Sequence, residues 1–117
     1  MATSLRSLVP ELVAPATWLL RLGRSVDRRL RVTSARRSFR EQSALYARFL
    51  RGESKLPAAP PGRSLHQLGL AFDLARPGID PFQDSLLEQL GAIWNSMGGN
   101  WHPSDPVHFE VTSGARR

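Results

Sequence analysis

The chain has 117 residues, 41% hydrophobic and 22% charged, with 16 Lys and Arg against 10 Asp and Glu for a formal net charge of +6. That length suits one domain with a core of its own, and the lack of cysteine excludes disulfides, thiolate nucleophiles and cysteine-ligated zinc. The positive balance favours polyanionic surroundings. Nucleic acid, anionic lipid and an anionic cell wall all qualify, but the arginines are spread along the chain without interleaved aromatics and no nucleic-acid motif appears, so charge is a weak argument for nucleic acid.

Residues 1–9 read as a loose N-terminal arm and 10–117 as a single domain. The opening apolar stretch is interrupted by Pro10, Glu11 and Pro15, so no signal peptide is expected. No apolar run reaches the roughly 18 residues that cross a bilayer, and synthesis in the cytoplasm is expected. A helix is predicted from Pro10 or Pro15 to residue 28. Pro15 suits a first-turn position, and Trp18, Leu19, Leu22 and Val26 form an apolar stripe. Residues 30–33 suit a short strand. Ser38 and Glu41 form a capping box that opens a helix to about residue 51, with Leu45, Tyr46, Phe49 and Leu50 as its buried stripe and Gly52 as its stop. Residues 52–63 form a proline-rich loop, placed to border a cleft.

The next stretch, Ser64 to Asp73, reads SLHQLGLAFD. From residue 70 to 74 it alternates: Leu70, Phe72 and Leu74 face one way, Ala71 and Asp73 the other. Asp73 thus lies on the polar face of a strand, either as a solvated carboxylate or as a ligand. After a turn, Asp80, Pro81 and Gln83 look like an N-cap, a first-turn proline and a capping-box partner for a helix to residue 97. Its apolar positions are Leu86, Leu87, Leu90, Ile93 and Trp94, and Gly98 and Gly99 end it. A final strand over 107–112 alternates Val107, Phe109 and Val111 with His108 and Glu110, before a tail at 113–117. Helices and strands without a βαβα rhythm indicate α+β, with helices packed on a small, mainly antiparallel sheet.

Catalytic zinc takes histidine nitrogen and carboxylate oxygen from three protein ligands and keeps one position open. The chain has three histidines, His66, His102 and His108. Two strands that each offer one metal-competent group from the polar face, with His66 just before the first, suggest one site.

Ser64, His66, Gly69, Ala71 and Asp73 meet the pattern S-x-H-x-x-G-x-A-x-D. This resembles the first zinc motif of the VanY-like D-Ala-D-Ala carboxypeptidases and L-Ala-D-Glu peptidases of bacteria and phage lysis systems. Asp105, His108, Phe109 and Glu110 resemble the D-x-x-H-F-E motif of the L-alanyl-D-glutamate branch, and the stretch from Met97 to Trp101 resembles the segment before it. Upstream, Val32 to Ser38 is similar to a V-T-S-G-Y-R-S segment, with Ala35 and Arg36 standing where that family has glycine and an aromatic.

The resemblance implies a Hedgehog/DD-peptidase-like fold and a Zn2+ cofactor held by His66, Asp73 and His108. It implies Asp105 as general base toward the attacking water. Arg37 would hold a substrate carboxylate or the developing oxyanion, and Gln42, Ser64, Trp101 and His102 would contact substrate. His102 is the rival third ligand, and Glu110 would fix the His108 imidazole. The implied partners are peptidoglycan stem peptides. The implied activity is hydrolysis of a stem-peptide bond, L-Ala-D-Glu by preference from the D-x-x-H-F-E ending, with D-alanyl-D-alanine carboxypeptidase as the alternative. A non-catalytic cell-wall binding module is the rival of another class. A lysis enzyme of phage or prophage acting on the cell wall fits this reading.

Overall fold

The computed structural model describes residues 2–112; the expected tail at 113–117 lies outside the described residues. Three helices, α1 (Pro10–Val26), α2 (Phe39–Leu50) and α3 (Ser85–Ser96), accompany three strands, β1 (Arg31–Ser34), β2 (Ala71–Ala75) and β3 (His108–Glu110). The strands form one antiparallel sheet in the order β1-β2-β3, so the α+β expectation holds. Among the described residues no helix is long and apolar enough to cross a membrane.

Strand β2 lies in the centre, and its two faces do different work. Phe72 and Leu74 enter the core. Phe72 stacks on Phe109 across the β2–β3 pair with ring centroids 5.5 Å apart, and Trp94 of α3 meets both rings edge-on. Such pairs add to the area they bury. Ala71 and Asp73 point to the other face, and Asp73 is only 8% exposed, so it is not a solvated carboxylate. The outer strands are short. β1 carries a bulge between Val32 and Ser34, which bends the strand and re-aims the residues beyond it. There the Ala35 amide donates to the Ala2 carbonyl, and on the far side of β3 Asn100 and Glu110 exchange both backbone bonds.

Several elements depart from the sequence expectation. The segment read as a loose arm is tied down. Leu5 and Leu8 belong to the core, and residues Leu5–Ser7 form a 3-10 turn. In α1, Pro10 takes the first-turn position and Pro15 falls inside the helix. The buried face is Leu12, Ala16, Leu19 and Gly23, whereas Trp18 is 50% exposed and Val26 is largely exposed. Apolar residues surround this helix, so periodicity alone admits more than one stripe. Gly23 selects the rotation, because a Cβ there would stand 2.3 Å from Leu30 Cδ2. The α2 capping box forms as expected, but Gln42 is the one fully buried residue of that helix and Leu50 is 65% exposed. This helix walls a cavity instead of packing on the core.

The expected helix start at Asp80 is instead a separate 3-10 turn, Pro81–Gln83, capped by Asp80. Asp84 then caps α3, accepting from Leu86 N at 2.9 Å and Leu87 N at 3.3 Å. Arg76 forks onto the same carboxylate at 2.6 and 3.1 Å and reaches Asp27 at 3.2 Å. Burial works to raise the Asp84 carboxyl, but the hydrogen bonds from Arg76 outweigh it and hold it below its usual value. Asp84→Ala removes a helix cap and strands a paired arginine, so a loss of about 3 kcal/mol is expected in urea unfolding at neutral pH. A depressed carboxyl stabilises the fold above its unfolded pKa. The difference between variant and wild type therefore shrinks as pH falls below about 4.

Candidate metal centre and cleft

His66 is set by a 3-10 turn, Leu65–Leu68, which Ser64 caps by accepting from the His66 amide at 3.2 Å. Gly69 ends the turn in the left-handed region with φ +72°, and a side chain there would collide with the Arg36 guanidinium. The chain then enters β2 and presents Asp73. The β2–β3 register places Asp73 directly opposite His108, so two groups distant in sequence become neighbours.

His66 Nε2 lies 2.9 Å from Asp73 Oδ1 and 3.2 Å from His108 Nδ1, and His108 Nδ1 lies 3.3 Å from Asp73 Oδ1. The outward nitrogens fix the tautomers. His66 Nδ1 is 2.7 Å from the Ala35 carbonyl, which can only accept, so His66 carries its proton there and turns the Nε2 lone pair inward. His108 Nε2 is 2.6 Å from Glu110 Oε1 and by the same logic offers Nδ1. Three lone-pair donors thus converge, an arrangement that a cation between them stabilises. Tetrahedral zinc with bonds of about 2.0–2.1 Å needs donors about 3.3 Å apart, and the observed triangle fits it. The same three residues are those His and carboxylate groups that could hold a metal ion among the described residues.

When no cation lies between these donors, protons answer the same field instead. Burial acts to lower the His108 imidazolium, yet hydrogen bonds to Asp73 and Glu110 push it up to about 10. Burial likewise acts to raise the Asp73 carboxyl, and the charge of His66 with hydrogen bonds from both histidines holds it well below the carboxylate range. Burial carries the Asp105 carboxyl up to about 6 against the pull of His108.

These groups line a cavity of about 610 Å³, a size suited to a small ligand or peptide segment. Ser64, Asp105, Trp101 and His102 reach it, as does the loop at 52–63. His102 is exposed and bonds Ser104; it stands outside the convergent group. Arg37 lines the cavity but is already engaged. Its Nη2 donates to Asp73 Oδ2 at 2.8 Å, Nε to Ser34 Oγ at 2.8 Å and Nη1 to Gln42 Oε1 at 3.0 Å.

Gln42 lies apart from the other expected substrate contacts. It is fully buried, lies behind Arg37 and does not line the cavity, and its Nε2 donates to the Ala59 carbonyl at 2.8 Å. It holds an arginine and a loop in place. Arg36 turns away from the cavity to bond Ser7 and the turn at Gln67. Sequence reasoning missed the Ala35 carbonyl, a backbone group with no residue signature. It also missed Arg48, Arg63, Leu45 and Leu56 as cavity wall; only the one-turn spacing of Leu45 and Arg48 could have hinted at a shared face.

Trp101 forms part of the wall. Its Nε1 donates to the Pro106 carbonyl at 2.8 Å, and its ring presses on Gly91, where a Cβ would stand 2.1 Å from Trp101 Cδ2. Gly91→Ala should therefore cost about 1–3 kcal/mol through overpacking where a helix-interior Gly→Ala change ordinarily helps. Thermal unfolding measures the loss, and a shift in indole fluorescence reports the displaced ring.

Among curated proteins none matches the chain. Among solved structures the fold matches the vancomycin-resistance D,D-dipeptidase VanXYg in complex with a D-Ala-D-Ala phosphinate analogue, at TM-score 0.66 and 20% identity over 89% of this chain and 50% of that one. It matches the D,D-pentapeptidase VanY of a VanB-type resistance cassette, solved with Zn(II), at TM-score 0.67 and 20% identity over 89% and 72%. The L,D-carboxypeptidase DacB of Streptococcus pneumoniae matches at TM-score 0.65 and 19% identity over 90% and 66%. The chain thus spans half the length of the first of these proteins and about two thirds or more of the others. The profile of the D-alanyl-D-alanine carboxypeptidase family VanY matches residues 6–99, a span that holds His66, Asp73 and Arg37. With well over half of its length matched, the chain belongs to the VanY family of D-alanyl-D-alanine carboxypeptidases.

Proposed function

We propose that this chain is a zinc-dependent peptidase that hydrolyses a bond in the stem peptide of peptidoglycan. The observation that carries the proposal is the convergence of the His66, Asp73 and His108 lone pairs on a cavity that Asp105 also lines. When bound, zinc would polarise a peptide carbonyl and lower the pKa of water. Asp105 is the general base, and its carboxyl, held up to about 6 by burial, has a pKa near working pH, where proton transfer in either direction is efficient. Arg37 has two N–H groups beyond the three given to Ser34, Gln42 and Asp73, and these serve the developing oxyanion. Glu110 holds His108 in its working tautomer.

The ending Asp105, His108, Phe109, Glu110 favours L-Ala-D-Glu as the bond. The family description favours a second reading, removal of a terminal D-alanine. Incubation of the zinc-loaded protein with purified peptidoglycan distinguishes the two. New amino termini at D-Glu support the first, released D-alanine the second. Bound zinc with no released ends would sink the enzyme reading in favour of a binding module.

A further inference from the structure

The metal end of the cavity balances its charges. Asp73 is paired with Arg37 and Glu110 with His108. The wall built by α2 and the loop at 52–63 does not. Arg48, in the last turn of α2, and Arg63, just before the Ser64 cap, both line the cavity, and both are exposed. Neither forms an ion pair or a side-chain hydrogen bond among the described residues. Glu53, the acid that feels the charge of Arg48, is forked onto Arg51 at 2.7 and 3.1 Å and does not neutralise it. The acids that line the cavity are Asp73, Asp105 and Glu110, all grouped with the histidines.

The loop that carries Arg63 is held in place. Gln42 grips the Ala59 carbonyl at 2.8 Å, and the Gly62 amide donates to Gln67 Oε1 at 2.7 Å. Both anchors lead to the site, Gln42 through Arg37 and Gln67 through the turn that bears His66. Leu45 and Leu56 line the same cavity and give it an apolar share. Two uncompensated guanidinium groups on a fixed wall suit a carboxylate, which guanidinium binds in a fork.

We propose that Arg48 and Arg63 form a carboxylate anchor that holds the substrate peptide at a distance from the bond being cut. This rests on the peptidase reading above. The shared chemistry is a peptide carboxylate, and a stem peptide offers two sources, its C-terminal carboxylate and the free α-carboxylate of its D-glutamate. The test uses the zinc-loaded chain and three N-acetylated stem pentapeptides: one with both carboxylates free, one amidated at the C-terminus and one amidated at D-glutamate. Kinetics are compared for the wild type, Arg48→Gln, Arg63→Gln and the double variant.

Each single substitution should raise KM for the free peptide about tenfold, the loss of one charge-assisted hydrogen bond, with kcat within about twofold. One amidated peptide should already show the raised KM with wild type and lose no more with the variants, and which one it is identifies the source. Equal KM values in all four proteins, or equal losses on all three peptides, overturn the anchor while leaving the peptidase reading intact. A wild type that cleaves none of the peptides overturns both.

Discussion

His66→Ala is expected to abolish both metal binding and hydrolysis. The imidazole supplies one of three donors within 3.3 Å of one another, and it is 1% exposed, so neither water nor a neighbouring side chain can take its place at no cost. Elemental analysis should give about one zinc per wild-type chain, the count that three convergent donors imply, and none in the variant. Zinc binding should also release a proton at neutral pH. The His108 imidazolium is held up to about 10, and a ligand imidazole must give up its proton. Calorimetry in buffers of different ionisation enthalpy measures that release. Zinc at 100-fold over its Kd should stabilise the wild type by about 2.7 kcal/mol and leave the variant unchanged. Full zinc content in His66→Ala would sink the site as drawn.

Asp105→Asn separates chemistry from binding. Asparagine keeps the shape and the backbone bonds to His102 and His108 at 3.0 Å but cannot accept a proton. Turnover should fall by about 10²–10⁴, the usual contribution of a general base, with zinc content and unfolding midpoint unchanged. A variant that hydrolyses at the wild-type rate would assign the proton transfer elsewhere. One that loses zinc would show that Asp105 serves the metal site instead.

The parts of this protein legible in its sequence are those where a residue type announces a local duty. The Ser38–Glu41 box is such a case, because both partners of the cap lie within one helical turn. The alternation around Asp73 and His108 placed both on the face away from Phe72 and Phe109, and the register brings them opposite each other. What stayed hidden depends on partners that the chain supplies from afar. The polar face of β2 is buried because Arg37, His66 and His108 gather on Asp73. Gln42 reads as a surface glutamine or a substrate contact until Arg37 and Ala59 take up its amide. Leu5 and Leu8 look like an arm because three residues of 3-10 turn carry no periodic signal. Asp80 is the cap the sequence suggests, yet α3 starts at Asp84, which takes the Leu86 and Leu87 amides and is held by Arg76.

The edges of the sheet bear on how a substrate is gripped. Many peptide-binding proteins take an extended ligand as one more strand, so that backbone bonds supply affinity and side chains only select. Here β1 is interrupted by its bulge and its end is bonded to Ala2, while the outside of β3 is matched to Asn100. Among the described residues the bulge breaks the regular run on β1, and the bonds to Asn100 take up the outer groups of Glu110. On the peptidase reading, a peptide in this cleft would be recognised by its functional groups more than by its main chain, and the site would tolerate changes of backbone form. On that reading D-residues, which would spoil the pairing of a regular strand, carry no such penalty in a cleft lined by arginines, leucines and the His66, Asp73 and His108 group.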